Sequence, residues 1–129
     1  MIRLLRNAAW WARDYLYALR WQVNAALSRT DPREFATGNL TPVVILPGVY
    51  ETWRFMIPLI TAMHDRGHPV HVLPVLRRNR RPVDEAAASV VEYIAHHDLR
   101  GCVLLAHSKG GLVGKRVMIR DAAEGRIAS

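Results

Sequence analysis

Residues 102–111 read CVLLAHSKGG, and the fold assignment turns on them. Cys102–Ala106 is an apolar run without a polar break, as expected of a strand buried on both faces of a parallel sheet. The next positions, Ala106-His107-Ser108-Lys109-Gly110, follow the small–x–Ser–x–Gly spacing of a nucleophile elbow. A serine so placed sits on a sharp, strained strand-to-helix turn that holds its hydroxyl clear. Only small side chains at Ala106 and Gly110 leave room for that turn. Gly111 and Gly114 would then let the following helix, Lys109 to about Asp121, lie close to the sheet. The start of that helix aims backbone N–H groups and a positive dipole end at the turn. The plainer alternative for Ser108 is a turn serine that caps the helix.

The sequence upstream supports the elbow. Val43–Leu46 is a short β-rich run that ends at Pro47-Gly48. A helix is expected over roughly Arg54–Arg66, with Trp53, Met56, Ile57, Ile60 and Met63 at helical spacing and Gly67 as its stop. Pro58 must fall in or near the first turn, since deep inside a helix it would cost about 3 kcal/mol. Val70–Val75 reads as a second strand, Arg77–Pro82 as a loop, and Val83–His97 as a helix. This order, β-α-β-α-β-α, predicts an α/β fold with a parallel sheet, right-handed crossovers and helices on both faces, a three-layer α/β/α arrangement.

At the segment VVILPGVY (Val43–Tyr50) together with AHSKGG, the chain resembles the α/β-hydrolase superfamily, in particular bacterial lipase- or esterase-like members. In them the first core strand runs into a His-Gly oxyanion loop and the elbow reads GHSxGG. Here Pro47-Gly48 stands in place of His-Gly, and Ala106 in place of the first elbow glycine. The resemblance covers roughly residues 42–122. It implies that Ser108 is the nucleophile and that the backbone N–H groups of Val49 and Lys109 are the oxyanion donors. Ala106, His107 and Gly110 would form the elbow. It further implies a strand order second-first-third, with more strands beyond the third.

The resemblance also requires an acid and then a histidine after the serine. Downstream of Ser108 the sequence offers Asp121 and Glu124 and no histidine. His64, His68, His71, His96, His97 and His107 all lie upstream or within the elbow, and none has the place of a triad base. The strand Cys102–Ala106 would be an uncovered edge, which a partner chain could cover. The sequence reads as the N-terminal half of a hydrolase domain, truncated or split after the elbow helix. Little or no turnover is expected from it alone.

The N-terminal region differs in character. At about 100° per residue, residues 3 to 28 wind into an amphipathic helix. Its apolar side includes Leu4, Leu5, Trp11, Tyr15, Leu16, Leu19 and Val23; its polar side carries Arg3, Arg6, Arg13, Asp14 and Arg20. Trp10, Tyr17 and Trp21 project from the arginine side. They pack either against the rest of the fold and arginine stems or at a lipid headgroup layer. Thr30–Thr41, with Asp31-Pro32 and Gly38-Asn39, reads as a linker. The expected division is 1–29 helix, 30–41 linker and 42–129 hydrolase-like half.

Composition narrows the function classes. The formal charge is +7, and of the 18 Lys and Arg residues all but Lys109 and Lys115 are arginine. The arginines are scattered apart from Arg77, Arg78, Arg80 and Arg81, and no nucleic-acid-binding motif surrounds that cluster. No nucleic-acid partner is expected. The charges in Met1–Leu27 exclude a spanning helix and a signal-peptide core. A cytoplasmic protein is expected, with residues 1–29 as a segment suited to peripheral membrane contact. The single cysteine, Cys102, permits no internal disulfide and reads as a buried apolar residue. No cluster has metal-ligand spacing, so neither metal nor organic cofactor is expected. The leading expectation is a serine hydrolase of acyl or lipid-like esters, incomplete in this chain. The alternative is a non-enzymatic membrane-surface or protein-interaction module built on the N-terminal helix.

Overall fold

The computed structural model describes residues 2–27 and 29–128; within the first helix, side chains are described at 10–21 and 23. Three parallel strands form the centre: β1 (Val43–Leu46), β2 (Val70–Val72) and β3 (Val103–Ala106). Their order is β2-β1-β3, the order that the hydrolase resemblance implies. Val43 pairs with Val70 on one side and with Val103 on the other, and Leu46 lies opposite Ala106. This register brings the ends of β1 and β3 together, so the loop after β1 and the turn after β3 emerge side by side.

The helices are α1 (Ile2–Leu27), α2 (Ile57–Asp65), α3 (Val83–His96) and α4 (Lys109–Asp121). α2 covers one face of the sheet and α3 and α4 the other. Successive residues of β1 point to opposite faces, and the core divides accordingly. Val44 and Leu46 pack with Ala87, Val90 and Ile94 of α3 and Val113 and Val117 of α4. Val43 and Ile45 pack with Met56, Ile60 and Phe35. Phe35 belongs to a short 3₁₀ turn, Pro32–Phe35, whose N-cap Asp31 accepts the Arg33 N–H. The segment read as a linker therefore places one ring in the second core.

Several boundaries move from the sequence reading, each for a local reason. The helix over Arg54–Arg66 opens as a 3₁₀ turn, Trp53–Met56, and becomes α-helical only at Ile57, with Pro58 in its first turn. β2 stops at Val72 rather than Val75, because Pro74 starts another 3₁₀ turn, Pro74–Leu76. β3 is not buried on both faces: Val103 and Ala106 are exposed and the two residues between them are half-buried. It lies at the end of the sheet, and among the described residues only its start has a further neighbour. Ile127 bridges Cys102 in parallel there, and the Ala128 N–H donates to the Cys102 carbonyl.

Among the described residues, no helix is long and apolar enough to cross a membrane. α1 lies against the Trp53–Met56 turn. Trp21 is half-buried and meets Tyr17 edge-on, while the Arg13 guanidinium lies 4.4 Å from the Trp10 ring centre. Of the aromatic residues on the arginine side, Trp21 is thus half-buried, while Trp10 and Tyr17 stay exposed. The apolar stripe at Trp11, Tyr15, Leu19 and Val23 is exposed.

Candidate active site

β3 ends at Ala106, α4 begins at Lys109, and two residues make the turn. Ser108 takes φ 54° and ψ −121°, a region that L side chains rarely adopt. Its side chain makes no capping hydrogen bond to α4, so the helix-cap reading of this serine finds no contact. Ser108 is exposed. Gly110 explains how the strained turn is held: a Cβ there would stand 2.0 Å from the Leu46 carbonyl oxygen. Any side chain would push α4 off the end of β1. Gly114 also packs closely, its absent Cβ lying 3.3 Å from Leu46 Cδ1. Gly111 faces open space, contrary to the sequence reading, and is not needed for this approach.

The loop after β1 meets this turn directly. A Cβ on Gly48 would lie 3.2 Å from Ser108 Cβ and 2.6 Å from Glu51 Oε2. Glu51 was not singled out in the sequence, yet it ties the two segments together. Its Oε2 accepts the Gly48 N–H at 2.8 Å and lies 2.8 Å from His107 Nδ1. His107 therefore turns to Glu51, with its ring 5.8 Å from that of Phe55. Among the described residues, no hydrogen bond reaches the Ser108 hydroxyl from a side chain, and neither the Val49 nor the Lys109 N–H donates to a backbone carbonyl.

A second wall comes from the arginine loop. Asn79, at 1% exposure, donates through Nδ2 to the Pro47 carbonyl at 2.7 Å. Lys109 Nζ donates to the carbonyls of Asn79 and Arg81. Tyr50 N–H donates to the Arg78 carbonyl. The loop is thus latched to both halves of the site, while Arg77, Arg78, Arg80 and Arg81 remain exposed.

The other titratable residues lie elsewhere. Asp121 is buried at the far end of α4, where its carboxylate accepts the N–H groups of Arg126 and Ile127. Glu124 pairs with Arg126. Both downstream acids are thereby committed to the C-terminal segment. His71 lies in β2, with Nδ1 3.1 Å from the Tyr93 hydroxyl, and His97 stacks on Tyr93 with ring centres 3.9 Å apart. Burial, with a smaller contribution from His97, lowers the His71 pKa; burial raises that of Tyr93. Both shifts favour the uncharged forms of the imidazole and the phenol. Cys102 is buried, and burial raises its thiol pKa. Among the described residues, no group of three or more metal-ligating side chains converges.

This architecture has a solved counterpart. An extracellular α/β-hydrolase from a Paenibacillus species, described as sharing structural and functional homology with tobacco salicylic acid binding protein 2, matches with a TM-score of 0.56 at 26% identity. The match covers 68% of this chain and 38% of that one, so this chain spans well under half of that protein's length. No family model matches the chain, and comparison with curated proteins gave no match. The fold is of the α/β class, partly α/β-hydrolase-like, with a hydrolase as structural neighbour.

Proposed function

We propose that this chain carries the nucleophile portion of a serine hydrolase acting on carboxylic esters. The observation that supports the reading is the backbone of Ser108, in a strained turn at a strand-to-helix junction against a glycine that tolerates no Cβ. Strain of this kind persists only where the surroundings over-determine it, and it clusters at sites of chemistry. In the proposed reaction Ser108 Oγ attacks the ester carbonyl, its proton passes to a base, and the carbonyl oxygen becomes an oxyanion. The N–H groups of Val49 and Lys109 serve as donors to it; removing one such donor typically costs about 10²–10³ in rate. Collapse expels the alcohol, which takes up the proton and leaves an acyl-enzyme. Glu51 fixes the donor loop by holding Gly48.

The base is the part that the described residues do not supply at Ser108, and an added base tests the reading. Imidazole should accelerate p-nitrophenyl butyrate hydrolysis by this chain beyond the rate with Ser108→Ala at the same imidazole concentration. Without imidazole, turnover should stay near the Ser108→Ala background. Equal rates for the two proteins with imidazole present would sink the hydrolase reading.

A second reading has its own observation, the exposed stripe of α1. Trp11 is 70% and Tyr15 76% exposed, on a helix whose sequence carries Arg3, Arg6, Arg13 and Arg20 against Asp14 alone. Such a face suits an anionic membrane surface, in the interfacial rather than spanning mode. The chain should sediment with vesicles containing phosphatidylserine at low salt, and Trp11→Ser/Leu19→Ser should not. Failure of the unaltered chain to sediment rejects this reading without touching the first.

A further inference from the structure

A small pocket of about 210 Å³ opens between the loop after β1 and the turn after β2. Its apolar wall includes Ile45 and Val72, and Pro47, Trp53, Arg54 and Arg77 are also among its lining residues. Arg54 is held there in an unusual state. Its guanidinium lies 5.1 Å from the Trp53 ring centre, and its Nε is buried without a hydrogen-bond partner. A buried donor left unpaired is costly and uncommon in folded proteins. Arg77, which also lines the pocket, sits at φ 45° and ψ −114°, a second strained position. Among the described residues, neither arginine forms an ion pair. The acid closest in the chain, Glu51, is engaged by Gly48 and His107.

We infer that this pocket binds a carboxylate carried on a small apolar body. Two guanidinium groups without an acidic partner offer fork-shaped donors that match a planar carboxylate. The apolar wall and the indole favour a singly charged group over a doubly charged phosphate, which would have to shed more hydration on entry. The volume is below the roughly 300–1,000 Å³ of sites for drug-sized ligands, so the occupant is small. Pro47 lines the pocket and Gly48, the next residue, packs on Ser108. The carboxylate is therefore part of the substrate, on the acyl or alcohol side of the ester. That role rests on the hydrolase reading; the binding itself does not.

Hexanoate and its neutral isostere hexanamide test the inference by saturation-transfer NMR on the 129-residue chain. Hexanoate should bind at least about tenfold more tightly than hexanamide, and Arg54→Gln and Arg77→Gln should each weaken hexanoate about tenfold while leaving hexanamide unchanged. Arg54→Lys should be intermediate, since it keeps charge but loses the fork. Thermal melts of the variants establish that each remains folded. Equal affinity for hexanoate and hexanamide overturns the inference, as does no binding of either, tighter binding of inorganic phosphate, or wild-type affinity in both glutamine variants. Ser108→Ala should bind hexanoate as the unaltered chain does. A chain that binds hexanoate but shows no Ser108-dependent chemistry contradicts the hydrolase reading alone, and the converse result contradicts the pocket alone.

Discussion

Ser108 is held at a positive φ in a conformation better suited to glycine, and that strain should be measurable. Strained positions of this type cost about 1–3 kcal/mol, and a glycine returns part of the relief through a more flexible unfolded chain, roughly 0.4–1 kcal/mol. Ser108→Gly should therefore stabilise the chain by about 1 kcal/mol in urea denaturation, while removing the hydroxyl. A destabilised Ser108→Gly would mean that the serine side chain supports the turn instead of suffering in it. Ser108 and Gly110 were legible in the sequence because the elbow spacing states a steric requirement at each position. Glu51 and Asn79 were not. Glu51 meets His107 across 56 positions and Asn79 meets Pro47 across 32, and no local pattern marks a contact between distant loops.

At the scale of elements, periodicity revealed the helices and strands but not which face each would present. α1 reads as amphipathic, and a helix of that kind ordinarily turns its apolar side to a core. Here the edge bearing Trp21 is half-buried and the apolar stripe is exposed, which no wheel could reveal. β2 likewise hid a buried histidine, His71, that meets Tyr93 of α3. The folded chain holds the His71 pKa below the ordinary 6.5 through burial first and His97 second. The unfolded chain takes up this proton near the ordinary value, so below it the unfolded state binds more protons than the folded one. Stability is full above the unfolded pKa and is lost as pH falls through it toward the folded value. Melting temperature should fall between about pH 7 and pH 5, and less steeply in His71→Gln. Equal pH slopes would show that His71 does not carry this dependence.

On the scale of the whole molecule, the parallel sheet followed from the β-α-β-α-β-α alternation, whereas the strand order β2-β1-β3 was implied by the hydrolase resemblance alone. The depth of burial of β3 did not follow. An apolar run looks the same whether it lies in the middle of a sheet or at its margin, and only the Ile127–Cys102 bridge reveals what lies beside its start. The sheet brings the loop after β1, the elbow and the latched arginine loop to one end. The proposed chemistry depends on that convergence and on one hydroxyl. Its most direct test is a fluorophosphonate probe with the modified residue located by peptide mass spectrometry. The account predicts a slow, stoichiometric adduct on Ser108 in the unaltered chain and none in Ser108→Ala. An unlabelled Ser108, or a label carried equally by the alanine variant, would contradict it.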